Sequence, residues 1–170
     1  MSALDATALP GATFGGLVHT KHGAAALTAA AEAAPDALLD LLDSRQGLLL
    51  LRGMDGITEE PELLLRLSRL CGSEVESYHE TRMARQNVHP DVPQIFTVSN
   101  IPPADRVPPA QPDPPCNADG SLPTRFPHRR GWHTDQSYRR PPPDVSLFYC
   151  VIPAPKDQAQ TLYANGIAAY

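Results

Sequence analysis

Nine prolines stand between Ile101 and Gly131, and they constrain the fold of this chain more than any other feature. Proline has no backbone N–H and a fixed φ angle, so it breaks helices and leaves gaps in strand ladders. Residues 101–131 are therefore predicted to form a long proline-rich insert, either a lid over a site or a disordered loop. Regular structure is expected on both sides of it.

The bulk composition is that of a globular protein. The chain has 170 residues, of which 42% are hydrophobic and 19% charged, which suits one domain with a real core. The net charge of −5 gives no basic surplus, so no nucleic-acid partner is expected. The amino terminus lacks the pattern of a secretory signal, and the apolar run 47–51 is too short to cross a bilayer, so a cytoplasmic protein without a membrane partner is predicted.

The three cysteines give no framework for disulfides or zinc. Their number is odd, their spacing is wide and no C-x-x-C occurs: the residues are Cys71, Cys116 and Cys150. They are expected to be buried or idle free thiols.

Hydrophobic patterning and helix boundaries predict the regular elements. The amino-terminal part should contain a strand over 11–18, an alanine-rich helix over 24–34 and a second helix that begins at Pro35 and is ended by Gly47. The run 48–51 is then predicted to be a strand buried on both faces. Thr58 should cap a further helix that Gly72 ends, with one apolar stripe facing the core. Later strands are expected over 94–99, 132–137, 145–152 and 161–164.

His133 and Asp135 form the chemically informative pair. On a strand, residues two apart point to the same face, so the imidazole and the carboxylate should project side by side. They could then occupy two adjacent positions around a metal, and one more histidine would complete the 2-His-1-carboxylate triad of non-haem iron oxygenases. Spacing alone also fits an ordinary polar hydrogen-bonded pair. A structural zinc site would need two further ligands, for which no suitable spacing is present.

The residues around this pair carry a family resemblance. The order is Trp132-His133-Thr134-Asp135, then Pro142-Pro143, an apolar run over 147–151, Pro153, Thr161-Leu162 and Ala168-Ala169-Tyr170. This order resembles the TauD/TfdA family of Fe(II)- and 2-oxoglutarate-dependent dioxygenases. The amino-terminal elements also fit the family, so the resemblance covers nearly all of the chain and is weakest in the proline-rich insert.

The resemblance implies a fold, a reaction and a set of residues. The fold class would be α+β or mainly β: a partial double-stranded β-helix, which is a clavaminate-synthase-like jelly roll, with flanking helices. The protein would hydroxylate a small-molecule substrate with release of succinate and CO2. His133 and Asp135 would be catalytic iron ligands, with Fe(II) as cofactor and 2-oxoglutarate as cosubstrate. Thr161 would contact 2-oxoglutarate. The positions where the family places substrate-facing residues are those of Tyr78, His79 and Asn100.

The chain departs from the family pattern in two respects. The family's G-G-D-T is here Gln158-Ala159-Gln160-Thr161, and the loss of both glycines is expected to reshape the cosubstrate pocket. The family's second histidine ligand and its 2-oxoglutarate-binding arginine lie beyond residue 170. Residues 1–170 are therefore predicted to be one dioxygenase domain truncated at its carboxyl end and inactive alone. The alternative is a degenerate, non-catalytic fragment that depends on a partner chain, either another copy in a homo-oligomer or the missing half.

Overall fold

The computed structural model describes residues 4–77, 87–98, 118–119, 132–136, 141–153 and 161–169. The chain divides into two compact units. Unit 1 combines Met1–Phe96 with Leu147–Tyr170, and unit 2 is Thr97–Ser146. Within the described ranges, no helix is both long and apolar enough to cross a membrane.

Unit 1 contains a small mixed sheet of three strands in the order β1-β2-β3: β1 is Thr7–Ala8, β2 is Gly16–His19 and β3 is Leu49–Arg52. β1 pairs antiparallel with β2, and β2 pairs parallel with β3. A parallel pair needs a crossover, and residues 20–48 supply it. The strands predicted over 11–18 and 48–51 correspond to β2 and β3, but β2 begins only at Gly16, and β1 was not predicted.

Two helices fill the crossover, and a third follows β3. Helix α1 is Gly23–Ala33, α2 is Pro35–Ser44 and α3 is Glu62–Leu70. Only Ala34 separates α1 from α2, because Pro35 has no N–H to continue the first helix but fits the first position of the second. All three predicted helices are confirmed.

Gly53 marks the end of β3 for a steric reason. Its φ is +76°, and a Cβ at this position would collide with the backbone carbonyl of Thr20. Only glycine allows the two chain segments to approach so closely there.

The core of unit 1 lies between the sheet and the helices. One buried cluster joins β2, α1, α2 and α3 through Val18, Leu27, Leu38 and Leu67, and a second joins Ala24, Ile57 and Leu63. Val18, Leu27, Leu63 and Leu67 are each at most 2% exposed. The apolar stripe predicted for α3 is therefore core packing.

The prediction that the run 48–51 is buried on both faces is wrong. Along β3, half-buried and exposed residues alternate, and Leu50 is 37% exposed. The helices cover one face of this sheet, where Leu49 and Leu51 pack against the core cluster. Leu50 and its β2 neighbour Leu17 lie on the other face.

Thr58 does not cap α3, contrary to the prediction. The chain first makes a separate turn in which the Glu60 N–H donates to the carbonyl of Gly56 at 2.9 Å. Pro61 cannot continue that hydrogen-bond pattern because it has no N–H. The helix therefore begins at Glu62, after Pro61, with no side-chain cap.

The later strands were also predicted wrongly, as far as their residues are described. Residues 132–136, 141–153 and 161–169 contain no strand, and 94–98 contributes a single bridge, Phe96 to Val88. A strand requires a backbone partner, and these segments pair with no other strand among the described residues. Beyond the strand predicted over 161–164, the chain forms one turn of 3-10 helix, Ile167–Ala169.

The segment after Leu147 nevertheless keeps a strand-like alternation of burial. Leu147 packs against the first core cluster and Tyr149 against the second, whereas Phe148 is 67% exposed. Tyr149 also lies 3.4 Å from Thr58 through their hydroxyl oxygens. The period of two expected for this segment is thus present without a strand ladder.

Candidate metal centre

The side chains of His133 and Asp135 contact each other in unit 2. His133 Nε2 lies 3.1 Å from Asp135 Oδ1, a hydrogen-bond distance. A carboxylate only accepts, so Nε2 carries the proton in this arrangement. The two side chains are 54% and 51% exposed. The predicted juxtaposition of imidazole and carboxylate is therefore present, on a surface that solutes can reach.

The separation of these two atoms also suits a shared metal ion. Ligands 2.0–2.2 Å from a metal and at right angles to each other are about 3 Å apart. Nε2 and Oδ1 already have nearly that spacing, and an imidazole nitrogen with a carboxylate oxygen is a donor set that Fe(II) accepts. The pair therefore fits an iron ion at two adjacent positions, provided that the Nε2 proton leaves or moves to Nδ1.

The local backbone is not the strand that sequence analysis predicted. Residues 132–136 are extended or bent, and Asp135 and Gln136 form a turn. Gln136 has a φ of +54°, which is uncommon for a residue with a Cβ. Sequence reasoning missed Gln136, since glutamine has no turn preference that would have drawn attention to it.

A third ligand is not found within the described residues. They contain no group of three or more His, Cys, Asp or Glu side chains that could hold a metal ion. A facial triad requires three ligand atoms, and the His133–Asp135 pair offers two atoms of a suitable type.

The other predicted site residues belong to unit 1 or lie outside the described ranges. Thr161 belongs to unit 1 and is exposed. Tyr78, His79 and Asn100 lie outside the described residues, and so does the proline-rich insert except for 118–119. The roles expected for these positions stay predictions.

The two described cysteines are free thiols in different surroundings. Burial raises the pKa of the Cys71 thiol, which sits at the end of α3 near the carbonyl of Leu67. Cys150 is exposed. Cys71 fits the expected buried, idle thiol, because little of it is in the thiolate form that reacts.

A histidine and an aspartate in this arrangement are two of the residue types that non-haem iron enzymes use as ligands. The chain belongs to the family described as taurine catabolism dioxygenase TauD, TfdA family, whose model matches residues 16–170. Comparisons with curated proteins and with solved structures gave no match.

Membership confirms the family resemblance drawn from the sequence. The family is in general dependent on Fe(II) and 2-oxoglutarate, its members are dioxygenases, and its fold is of jelly-roll type. Within the described residues, the structure has a small mixed sheet and three helices, which do not confirm the predicted double-stranded β-helix.

Proposed function

We propose that this chain is the iron-binding part of an Fe(II)- and 2-oxoglutarate-dependent dioxygenase that hydroxylates a small molecule. His133 and Asp135 are its two iron ligands in this proposal, and Thr161 contacts 2-oxoglutarate. Residues 1–170 form one dioxygenase domain that contributes to a double-stranded β-helix. The third iron ligand comes from outside the described residues.

One observation carries the proposal. In a member of this family, His133 Nε2 and Asp135 Oδ1 lie 3.1 Å apart. The hydrogen bond keeps the two potential metal-ligand atoms close together, so neither side chain needs to move far when an ion binds. Preorganisation of this kind reduces the free energy that binding must spend on ordering.

Each residue has a distinct task in this proposal. The imidazole of His133 and the carboxylate of Asp135 would each supply one ligand atom to the ion. Bound iron with 2-oxoglutarate supplies the oxidising chemistry. The carboxylate of Asp135 also compensates one of the two positive charges of Fe(II), which a second neutral ligand would not do.

The test uses metal affinity together with a charge-transfer spectrum. Anaerobic addition of Fe(II) and 2-oxoglutarate to the full-length protein that contains this chain should give a visible metal-to-ligand charge-transfer band. His133→Ala and Asp135→Ala should each weaken Fe(II) binding by about a hundredfold or more, since changes in residues that only support ligands already cost 10–100-fold.

Matched controls come from exposed residues of the same type. His22→Ala removes a histidine that makes no capping hydrogen bond at α1, and Asp144→Ala removes an exposed aspartate of unit 2. Both should bind Fe(II) as the unchanged chain does. Equal affinity in all five proteins would rule out His133 and Asp135 as ligands.

A second candidate function is binding without turnover, in a fragment that requires a partner chain. The exposed apolar side chains favour it, because Ile152 is 80% and Ile167 87% exposed, and large apolar exposure often marks an interface. This candidate predicts weak Fe(II) binding at His133 and Asp135 without conversion of 2-oxoglutarate to succinate. Succinate production by residues 1–170 alone would exclude it.

A further inference from the structure

Two residues other than glycine have a positive φ among the described residues, and one of them follows a helix. They are Gln46, with a φ of 58°, and Gln136, with a φ of 54°. A left-handed backbone places the Cβ too close to the following carbonyl oxygen, so each such residue needs compensation from its surroundings.

Gln46 is explained by the end of α2. Its N–H donates to the carbonyl of Asp43 at 3.0 Å, and the N–H of Gly47 donates to Leu42 at 2.9 Å. Carbonyls of the last helical turn are thereby satisfied, which is the usual role of left-handed residues after a helix. In addition, the Asn165 side-chain amide donates to Gln46 Oε1 at 2.6 Å.

Gln136 has no helix to terminate. Residues 132–136 are non-helical, and Gln136 forms a turn with Asp135. A turn with a positive φ at its second central residue also fixes the backbone torsions of the residue before it, as type II turns do. Here the preceding residue is Asp135, so its torsions set the direction in which the carboxylate leaves the backbone relative to His133, two residues earlier.

We propose that the left-handed backbone of Gln136 is a positioning device for the His133–Asp135 pair. The strained turn holds Asp135 so that Oδ1 stays within 3.1 Å of His133 Nε2. Local strain of this kind is characteristic of functional sites, where it fixes a geometry in advance. Gln136 acts through Asp135 and is a positioning residue; that the fixed pair receives iron rests on the function proposed above.

Two substitutions separate the backbone of Gln136 from its side chain. Gln136→Gly and Gln136→Val both remove the amide, but glycine accepts a positive φ freely and valine, being β-branched, strongly resists it. The pair geometry should survive in Gln136→Gly and be lost for much of the time in Gln136→Val. Ser146→Gly and Ser146→Val make the same exchange at an exposed position of unit 2 whose φ is not positive.

Two readouts on the full chain test the proposal. The first is the ¹⁵N NMR chemical shift of the His133 imidazole in the metal-free protein. This shift shows whether the Nε2–H group is hydrogen-bonded to a carboxylate. The second is Co(II) affinity by calorimetry. Gln136→Val should bind Co(II) about tenfold more weakly than Gln136→Gly, equivalent to about 1.4 kcal/mol, and should lose the bonded imidazole signal. The two Ser146 variants should match each other in both readouts.

The outcomes distinguish this inference from the proposed function. Equal behaviour of Gln136→Gly and Gln136→Val overturns the inference, whether both variants resemble the unchanged chain or both lose the pair. If the unchanged chain binds no Co(II) or Fe(II), the proposed function fails, and the imidazole signal of the two variants still decides the role of Gln136.

Discussion

The hydroxyl of Thr28 is buried in α1 without a hydrogen-bond partner among the described residues. Thr28 is 0% exposed, and its Oγ1 has no hydrogen-bond partner within the described part of the chain. A buried hydroxyl without a partner loses its interaction with water and gains nothing in return. The residue therefore reduces the stability of unit 1.

Thr28→Val is expected to stabilise the protein by about 1 kcal/mol, because valine has the same shape and no polar group to desolvate. The two residues have similar helix propensities, so the helix itself should not change. Urea unfolding followed by circular dichroism measures the effect. Thr28→Ser is the matched control: it keeps the hydroxyl, loses a buried methyl and should be less stable than the unchanged protein. A destabilised Thr28→Val would show that the hydroxyl has a partner in solution.

At the residue scale, the sequence predicted the proximity of His133 and Asp135 but not the backbone conformation in which it occurs. The spacing of two placed both side chains on one side of an assumed strand. In the structure, the same proximity occurs next to a turn at Asp135 and Gln136. The conformation of a single glutamine depends on contacts that no pattern of residue types encodes, so Gln136 could not have been predicted.

At the scale of elements, one exposed ion pair connects α1 to α3. The Arg66 guanidinium donates to both carboxylate oxygens of Glu32, at 2.8 and 2.6 Å. These hydrogen bonds, with the positive charge of Arg66, hold the pKa of Glu32 below its usual range, and the same bonds raise the pKa of Arg66. The bidentate geometry makes this pair better defined than most surface ion pairs.

The Glu32–Arg66 pair should make a small contribution to stability that depends on acid. A lowered carboxyl pKa means that the contribution is fully present above the pKa of the unfolded chain and disappears as the pH falls through the lower pKa of the folded state. Glu32→Gln should therefore lower the urea midpoint slightly at pH 7. The difference from the unchanged protein should vanish once the pH is well below about 4.

Glu59→Gln serves as the control for this experiment. Glu59 is exposed and lies in the turn before α3, outside the Glu32–Arg66 pair. Its substitution should leave the urea midpoint unchanged at both pH values. An equal loss in Glu59→Gln and Glu32→Gln would attribute the effect to net charge rather than to the ion pair.

The elements differ in how far the sequence determined them. The helices were predictable because their start and stop signals are local: Pro35 begins α2, and Gly47 follows its end. The segment 145–152 has the composition of a strand, but a strand also needs a neighbour, and residue composition does not provide one. The pairing of β2 with β3 was likewise not evident, because it depends on contacts across residues 20–48.

At the scale of the whole molecule, unit 1 is assembled from two separate parts of the chain. Leu147 packs against the first core cluster, although Phe148 beside it is 67% exposed. The two neighbours thus form a natural pair for testing whether the later part of the chain stabilises the earlier part.

Leu147→Ala is expected to destabilise unit 1 by about 2 kcal/mol, because it removes apolar contacts and leaves a cavity. Phe148→Ala should change the free energy of unfolding by less than about 0.5 kcal/mol, since the ring is mostly in water. Thermal unfolding of both variants measures the difference. If Phe148→Ala costs as much as Leu147→Ala, the alternation of burial along this segment is not maintained in solution.

The discontinuous make-up of unit 1 could not be predicted from periodicity. The apolar run around Leu147 indicated a buried segment but not which residues would cover it. That information lies in the three-dimensional match between Leu147, Tyr149 and two clusters formed by much earlier residues. A hydrophobic pattern shows which side of a segment is buried. Which residues cover that side depends on how the side chains pack in three dimensions.

The topology of the sheet also implies an order of events when the chain folds. β1 and β2 are close in sequence and can meet early, whereas β3 joins β2 only after residues 20–48 have been brought into a compact form. Closing that long segment costs conformational entropy before any stabilising contact between β2 and β3 can form. The formation of α1 and α2 shortens residues 20–48 and lowers the entropy cost of bringing β3 to β2. The two helices therefore promote the pairing of the last strand. The speed at which this protein reaches its native sheet should thus be set by its helices.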